Sequence, residues 1–232
     1  MKVKATSPIY RSPKKAYTYQ DYLDLPEDGK RYEVINGELV MAPAPSTGHQ
    51  DVSGNLFFEL KKFVEENKRG KIYSAPIDVV LSDHNVVQPD ILFISNERKQ
   101  IITEKNISGA PDLIIEIVSP SSGYYDLIEK KEIYERFGVK EYWIVDPKKH
   151  WLEIYFNDNG KFRLAQRVEK TGKAKSAILK ELEIQLEKLF DVNKKNSDRV
   201  RTLSELDFFV YFTNNALRVN AMLLACDSSL TK

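Results

Sequence analysis

Residues 113–118 read LIIEIV, a run of apolar side chains interrupted by one acid, Glu116. An almost continuously apolar segment of this length is typical of a central strand that is covered on both faces. Burying an unpaired carboxylate in such a strand costs several kcal/mol or keeps the group protonated. A divalent cation such as Mg²⁺, which prefers carboxylate oxygens, would offset that cost. The alternative is an ion pair between Glu116 and an arginine or lysine on a helix above the sheet.

The segments on either side of this strand alternate between strand and helix patterns. Asn36-Gly37 joins two short alternating runs and is typical of a type I′ hairpin turn. Residues 50–68 carry apolar side chains at helical spacing, which predicts an amphipathic helix that Gly70 ends. Further strands are expected at 72–81, 86–95, 141–145, 151–156 and 162–168, and further helices at 17–25 and 124–137. The pattern predicts an α/β (α+β) fold in which a central mixed β-sheet is flanked by helices.

A second carboxylate must lie beside Glu116 if the two acids are to share one cation. Two Pro-Asp pairs compete for this place, Pro89-Asp90 and Pro111-Asp112. Asp112 lies on the same predicted strand as Glu116, about 13 Å away at about 3.3 Å per residue, which is too far for a shared ion. Asp90 opens the preceding strand, and adjacent strands lie only about 5 Å apart. Asp90 is therefore the predicted partner of Glu116, and Asp112 is interpreted as a residue that starts a strand.

A lysine on the helix after Glu116 is the predicted source of positive charge. Asp126, Lys130 and Tyr134 are spaced four apart and lie on one stripe of that helix. Because apolar side chains border the stripe, we expect it to face the sheet, where Lys130 can orient a water molecule and stabilise charge on a phosphate. Lys131, one position round the helix, is the rival. An Asp126–Lys130 pair on a solvated face is the alternative.

Four segments of the chain resemble motifs of a known family: RYEVINGELV (31–40), PDILFIS (89–95), IIEIVSPSS (114–122) and DLIEKKEIYERFGVKEYWIVDP (126–147). Together they resemble the Uma-type family of restriction-endonuclease-like proteins, which belongs to the PD-(D/E)XK nuclease superfamily, and the resemblance covers about residues 17–191. It implies a restriction-endonuclease-like fold and hydrolysis of nucleic-acid phosphodiester bonds with Mg²⁺, or with Mn²⁺ in its place. It also implies DNA as the expected nucleic acid and a homodimer.

The resemblance further implies roles for individual residues. The superfamily's metal-binding aspartate falls on Asp90 and its second acid on Glu116, both as catalytic residues and as metal ligands. The lysine that usually stands two positions after the second acid is replaced by Val118, so Lys130 from the following helix is expected to take the catalytic role. Glu33 resembles the family's acid near the site, and it is interpreted as an auxiliary metal ligand. The alternative for Glu33 is an outward-facing hairpin residue.

Two further features could contact a phosphate. His49 opens the first long helix and is a candidate for contact with a phosphate or a metal, while the alternative is a structural histidine. The first 20 residues hold five basic residues and no acid, so the N-terminal arm, residues 1–16, could lie on a phosphate backbone. The alternative for the arm is a solvated chain terminus.

The composition limits the class of protein. Lys and Arg total 35 against 34 Asp and Glu, so phosphate contacts must come from local clusters rather than from the net charge of +1. No segment approaches the roughly 18 apolar residues that a membrane span needs, and the first residues lack the apolar core of a secretory signal. A single cysteine, Cys226, excludes an intramolecular disulfide framework and a Cys-based zinc cluster. We therefore expect a cytoplasmic protein without membrane contact.

The chain is expected to divide into the arm, a nuclease-like domain at 17–191 and a C-terminal extension at 192–232. The extension includes the apolar segments LDFFVYF and ALRVNAMLLA, which need burial against the domain or a partner and are a candidate dimer interface. Two functions compete, a Mg²⁺-dependent endonuclease and a nuclease-like scaffold that binds nucleic acid or protein without cutting. The set of Asp90, Glu116 and Lys130 favours the first, and Val118 favours the second. A carboxylate-based glycosidase, which needs no metal, is a third hypothesis.

Overall fold

The segment that contains Glu116 forms a strand inside the larger of two main sheets. The computed structural model of the chain describes residues 16–42, 44–119 and 124–190, with only the backbone described for residues 124–126. The N-terminal arm, apart from Ala16, and the C-terminal extension lie outside the described residues. The expectations for these two segments therefore stay predictions.

Thirteen strands and four α-helices make up most of the described chain. Among these described helices, none is long and apolar enough to cross a membrane. The helices are α1 (Tyr19–Leu23), α2 (Thr47–Glu66), α3 (Tyr124–Arg136) and α4 (Leu186–Leu189), and a 3₁₀ turn covers Asn96–Ile101. The strands are β1 (Arg31–Ile35), β2 (Glu38–Ala42), β3 (Gly70–Ser74), β4 (Val79–Ser82), β5 (Asn85–Val87), β6 (Ile91–Ser95), β7 (Ile107–Ser108), β8 (Leu113–Ile117), β9 (Glu141–Asp146), β10 (Trp151–Asp158), β11 (Lys161–Glu169), β12 (Lys173–Lys175) and β13 (Glu183–Gln185).

Strand β8 lies inside a six-stranded mixed sheet with the order β11-β10-β9-β8-β6-β3. It pairs with β9 in parallel and with β6 in antiparallel orientation, and all five of its residues are buried. A strand with both faces covered requires a nearly all-apolar sequence, and this one has it. The predicted central strand of a mixed sheet is therefore confirmed.

A second sheet, with the order β2-β1-β5-β4-β7, was not predicted. The single strands expected at 72–81 and 86–95 are wrong, because each segment divides into two strands that belong to different sheets. Pro76 lies between β3 and β4, and Pro89 lies between β5 and β6. A proline has no N–H to donate within a sheet, so both prolines end the pairing and the chain crosses to the other sheet.

The hairpin formed by β1 and β2 brings Glu33 into the second sheet. Asn36 and Gly37 have φ angles of 51° and 79°, as the predicted type I′ turn requires. Val34 pairs with Val86 of β5, so β1 has a neighbour on both sides. Glu33 is 4% exposed, and the alternative of an outward-facing hairpin residue is wrong.

Helices α2 and α3 cover opposite faces of the six-stranded sheet. The predicted apolar stripe of α2 packs on one face together with alternate side chains of β8: Val52, Leu56, Leu60 and Val64 with Leu113, Ile115 and Ile117. On the other face, Leu127, Ile133 and Tyr134 of α3 pack with Ile114. Because side chains alternate along a strand, Glu116 lies on the α3 face.

Asp112 lies at the opposite end of β8 from Glu116. Its Oδ2 atom accepts a hydrogen bond of 2.8 Å from the backbone N–H of Ser95. Its Oδ1 atom lies 2.7 Å from Nζ of Lys140. These contacts fix the residue directly before β8 and agree with the interpretation of Asp112 as a residue that starts a strand.

Candidate active site

Asp90 and Glu116 lie side by side where β6 begins and β8 ends. Ile91 pairs with Ile115 in the antiparallel register, and extending this register by one residue places Asp90 opposite Glu116. Residues directly opposite each other in antiparallel strands have their Cα atoms about 5 Å apart and their side chains on the same face. The backbone N–H of Ile117 also donates a hydrogen bond of 2.8 Å to Asp90 Oδ2. The structure therefore brings together the two acids that the sequence pairs.

Lys130 and Tyr134 of α3 both contact Glu116, so the ion pair with a helix lysine that was the alternative for this acid is present. Nζ of Lys130 lies 3.1 Å from Glu116 Oε1, and the hydroxyl of Tyr134 donates to the same oxygen over 2.6 Å. Lys130 is only 8% exposed, so the solvated-face alternative is wrong for this residue. The side chain of Asp126, its proposed partner in that alternative, lies outside the described residues. Lys131 instead lies with Nζ 3.4 Å from the ring centroid of Tyr155.

Glu33 joins the cluster from the second sheet. Its Oε1 atom accepts a hydrogen bond of 2.8 Å from Lys130 Nζ and one of 2.7 Å from the backbone N–H of Gln88. The ammonium group of Lys130 therefore bridges Glu33 and Glu116. This bridge connects the five-stranded sheet, the six-stranded sheet and α3 at one point.

His49 binds the Asp90 carboxylate. Ser46 caps α2, and His49 follows three residues later, buried in the first turn of the helix. Nε2 of His49 donates to Asp90 Oδ2 over 3.1 Å. Nδ1 of His49 is buried and has no hydrogen-bond partner among the described residues. The structure thus assigns His49 a contact with a candidate metal ligand, and its contact with a phosphate stays a prediction.

Each of the three carboxylates has one oxygen held by two donors and one oxygen, called open below, that has no donor among the described residues. The held atoms are Asp90 Oδ2, Glu116 Oε1 and Glu33 Oε1, and each accepts two hydrogen bonds. The second oxygen of each carboxylate accepts no hydrogen bond from any described residue. The held oxygens fix the orientation of the carboxylates, and the open oxygens are available to a ligand.

A cation at these acids would be held only in part by protein groups. Within the described ranges, no three acid, histidine or cysteine side chains are gathered closely enough to enclose a metal ion. Mg²⁺ commonly takes one or two carboxylates and completes its coordination with water molecules and substrate phosphates. The open oxygens of Asp90 and Glu116 fit this donor set.

The cluster carries more negative charge than its lysine can neutralise. Within the described ranges, the carboxylates of Glu33, Asp90 and Glu116 adjoin one ammonium group, that of Lys130. Burial raises the pKa of Glu116 from 4.5 to about 7; the charge of Lys130 opposes this rise, and the charges of Asp90 and Glu33 add to it. Glu116 is therefore partly protonated near neutral pH. A divalent cation nearby would favour its charged form.

Lys130 and Tyr134 keep their protons in this environment. Burial alone would lower the pKa of Lys130, but the carboxylates of Glu116 and Glu33 outweigh burial and raise it above its ordinary value. Burial raises the pKa of Tyr134 well above its ordinary value, and the neighbouring charge of Glu116 adds to this shift. Both side chains therefore act as hydrogen-bond donors at physiological pH.

Sequence reasoning missed the contribution of Gln88. Its backbone N–H holds Glu33, and its side-chain oxygen and backbone carbonyl both accept hydrogen bonds from Arg31. A backbone donor carries no residue-specific signal in a sequence. The position of Gln88 two residues before Asp90 is the one feature that could have drawn attention to it.

The architecture has a counterpart among solved structures. It matches the crystal structure of a putative nuclease belonging to DUF820 from Anabaena variabilis ATCC 29413 with a TM-score of 0.64. The match covers 75% of this chain and 97% of that chain at 20% sequence identity. At this identity the likeness shows the fold alone, and it confirms the predicted fold class.

The sequence places the chain in a family. The family described as "Uma2: Putative restriction endonuclease" matches residues 19–187. Because this match covers most of the chain, the protein belongs to the Uma2 family, and the resemblance of the four motifs is confirmed. A comparison with curated proteins gave no match.

The raised pKa of Glu116 predicts how pH changes the stability of the metal-free protein. The folded protein binds a proton at Glu116 more tightly than the unfolded chain does, so this group stabilises the fold below pH 4.5. That stability is lost as the pH rises to about 7. In EDTA, the free energy of unfolding of the wild type, relative to Glu116→Gln, should therefore fall across this window. Urea unfolding followed by circular dichroism at several pH values measures the difference.

Glu66→Gln is the control for this experiment, because Glu66 is an exposed residue at the end of α2. The difference in free energy of unfolding between Glu66→Gln and the wild type should stay constant over the same pH range. A constant difference between the wild type and Glu116→Gln from pH 4.5 to pH 7 would contradict the raised pKa.

Proposed function

We propose that this protein is a Mg²⁺-dependent endonuclease that hydrolyses phosphodiester bonds of nucleic acid, with DNA as the expected substrate. The observation that carries the proposal is the arrangement of Asp90 and Glu116, each held through one oxygen and open at the other, beside the ammonium group of Lys130. Membership of a family described as putative restriction endonucleases supports the same reaction class. A scaffold that binds nucleic acid without cutting is the competing function.

Asp90 and Glu116 would hold the metal ion through their open oxygens, and Glu33 would be an auxiliary ligand. Mn²⁺, which takes similar oxygen ligands, is expected to replace Mg²⁺. The bound ion supplies Lewis-acid polarisation of the phosphate and a more acidic water molecule. The hydrogen bonds from Ile117 and His49 fix the direction in which Asp90 presents its open oxygen. This is the role that hydrogen bonds around a metal ligand commonly have.

Lys130 would act on the phosphate and not as a base. Its raised pKa keeps the ammonium group protonated, so it can donate hydrogen bonds to an attacking water molecule and to a phosphate oxygen. A fixed positive charge at this position offsets the negative charge that develops on the phosphate. Tyr134 keeps Glu116 oriented by donating to Oε1.

Unpaired lysines near the same end of the sheet support a nucleic-acid substrate. Since β8 and β9 are parallel, the turn after β9 follows the end of the sheet at which Glu116 lies. Lys148 and Lys149 in this turn are exposed, and Lys170 lies beside it, because its backbone N–H donates to His150 O over 2.7 Å. None of the three ammonium groups has a partner among the described residues. Such local clusters matter for phosphate contact more than a net charge near zero.

We also propose a homodimer. Cutting both strands of a duplex uses two active sites, and a second copy of the chain would supply the second site. Light scattering of the full chain at micromolar concentration should give twice the chain mass. A monomer mass under these conditions would contradict this proposal. A monomer has one active site, so it would cut one strand each time it binds the duplex.

Two variants should distinguish the effect of losing a metal ligand from the effect of losing the lysine. Asp90→Asn removes a charged ligand, so calorimetric titration with Mn²⁺ and cleavage of plasmid DNA should both be lost. Lys130→Ala removes no ligand, so Mn²⁺ affinity should be retained while kcat falls by roughly 10²-fold or more.

Lys131→Ala is the matched control, because Lys131 lies over the Tyr155 ring and away from Glu116. It should cut at the wild-type rate. If the wild type gives no Mn²⁺ binding and no cleavage of DNA or RNA, yet still binds nucleic acid, the scaffold function is correct. Loss of activity in Lys131→Ala with full activity in Lys130→Ala would show that the wrong lysine has been chosen.

The unpaired lysines predict the salt dependence of nucleic-acid binding. The double variant Lys148→Ala/Lys149→Ala should bind a labelled DNA duplex in EDTA more weakly. It should also flatten the plot of log affinity against log salt by about one unit per lysine. Fluorescence anisotropy over a range of salt concentrations measures both quantities.

The control for the lysine pair is Lys173→Ala/Lys175→Ala, which removes the same charge. Both of these lysines are already paired with Glu183, at 2.6 and 2.7 Å. This variant should leave the salt slope close to that of the wild type. Equal slopes for the two double variants would mean that DNA does not contact the turn after β9.

A further inference from the structure

Arg31 is a partly buried arginine next to the acid cluster, and it has no acidic partner in the part of the chain that the structure describes. It begins β1 and lies two residues before Glu33, so the two side chains are on the same face of the strand. Its Nε donates to the side-chain oxygen of Gln88 over 3.1 Å, and one terminal nitrogen donates to the Gln88 carbonyl over 3.2 Å. Arg31 makes no ion pair with any described residue. No acidic side chain among the described residues therefore neutralises its charge.

The acids near Arg31 contact other groups and not Arg31. Glu33 accepts from Lys130 and from the Gln88 backbone through Oε1, and Asp28 pairs with Lys30 over 2.8 Å. A guanidinium group has five N–H donors, and Gln88 takes two of those on Arg31. The other donors remain available, and an arginine in this state is suited to an incoming anion.

The position of Arg31 is defined by the same residue that organises the acid cluster. Val34 pairs with Val86, and extending this register places Arg31 opposite Pro89, directly before Asp90. Gln88 binds Arg31 through its side chain and carbonyl and binds Glu33 through its N–H. Gln88 therefore fixes the position of the Arg31 guanidinium group relative to Glu33.

Gln88 is itself held in place, so Arg31 is oriented before any ligand arrives. The side-chain nitrogen of Gln88 donates to Asp78 Oδ1 over 2.8 Å and to the hydroxyl of Tyr22 over 3.1 Å. The Tyr22 hydroxyl donates to the same Asp78 oxygen over 2.7 Å. These contacts leave the side-chain oxygen of Gln88 facing Arg31. A cation that is already oriented loses less conformational entropy when it binds an anion.

We propose that Arg31 binds a non-bridging phosphate oxygen of the nucleic-acid backbone beside the candidate metal site. The inference rests on the proposed function, because the phosphodiester is taken as the substrate of the adjacent acids. A guanidinium group matches the geometry of a phosphate through two parallel hydrogen bonds. Arg31 would thus fix the backbone next to the bond that is cut, while Lys130 acts at that bond.

The test measures binding of a short, labelled, mixed-sequence DNA duplex in EDTA, where no metal ion can bridge protein and phosphate. Arg31→Gln should weaken binding by roughly tenfold or more, because it removes a charge-assisted contact. It should also reduce the salt slope by about one. Arg31→Lys should keep the slope and recover only part of the affinity, since an ammonium group cannot form the paired hydrogen bonds.

Arg163→Gln is the control, because Arg163 is paired with Asp158 at the far turn between β10 and β11. It should bind DNA as the wild type does. Wild-type affinity and slope in Arg31→Gln would overturn the inference. So would a fall in affinity in both Arg31 variants accompanied by an equal loss of thermal stability. Failure of the wild type to bind the duplex, its separated strands or an RNA of the same sequence would overturn it as well.

Mn²⁺ calorimetry and cleavage assays on the same variants separate this inference from the nuclease proposal. Arg31→Gln should bind Mn²⁺ as the wild type does, because Arg31 is not a ligand. If the wild type neither binds Mn²⁺ nor cuts, while DNA binding still depends on Arg31, then the nuclease proposal fails and the phosphate contact stands. If the wild type binds Mn²⁺ and cuts but DNA binding is independent of Arg31, then the phosphate contact fails and the nuclease proposal stands.

Discussion

The charge of Glu116 must be compensated inside a strand that is buried on both faces, and much of the structure around it serves this requirement. Neutralising a buried carboxylate needs a partner that is buried with it, because solvent cannot do so. Lys130 is that partner, and it can reach Glu116 only if α3 packs on the same face of the sheet. The same ammonium group also binds Glu33, so this one cation contacts acids from both sheets. Burial nevertheless raises the pKa of Glu116, and the negative charges of Asp90 and Glu33 add to this rise against the opposing charge of Lys130.

The orientation of the acids depends on backbone donors as much as on side chains. The N–H groups of Ile117 and Gln88 hold Asp90 and Glu33, respectively. Both N–H groups lie at strand ends, where the regular pairing has stopped and a donor is available to a side chain. The geometry of the cluster is therefore fixed by how the strands are registered. Substituting a neighbouring side chain would leave these two contacts in place, whereas a shift in register would remove them.

Much of this arrangement can be predicted from the sequence, and the features that could not be predicted have identifiable physical reasons. Glu116 is recognisable because a lone acid in an apolar strand needs compensation, and the spacing of strands selects Asp90 over Asp112. Helical spacing selects Lys130 over Lys131, and the structure places only Lys130 at Glu116. The second sheet could not be predicted from alternation alone, because apolar patterns continue through Pro76 and Pro89 while the pairing does not. The roles of Gln88 and Arg31 depend on contacts between strands that are far apart in sequence, which no local pattern records.

Val118 stands where the resemblance leads one to expect a lysine, and the ammonium group that contacts Glu116 comes from α3 instead. Residue 118 lies two positions after Glu116 and therefore on the same face, and Val118 packs there among apolar side chains. A lysine at that position would move with the strand itself. Here the ammonium group belongs to α3, and Lys130 and Tyr134, one helical turn apart, bind the same oxygen of Glu116. Rotation of α3 would withdraw both contacts together, so the charge state of the acid cluster is coupled to the packing of a single helix. The position of the ammonium group beside Glu116 therefore depends on the tertiary packing of α3.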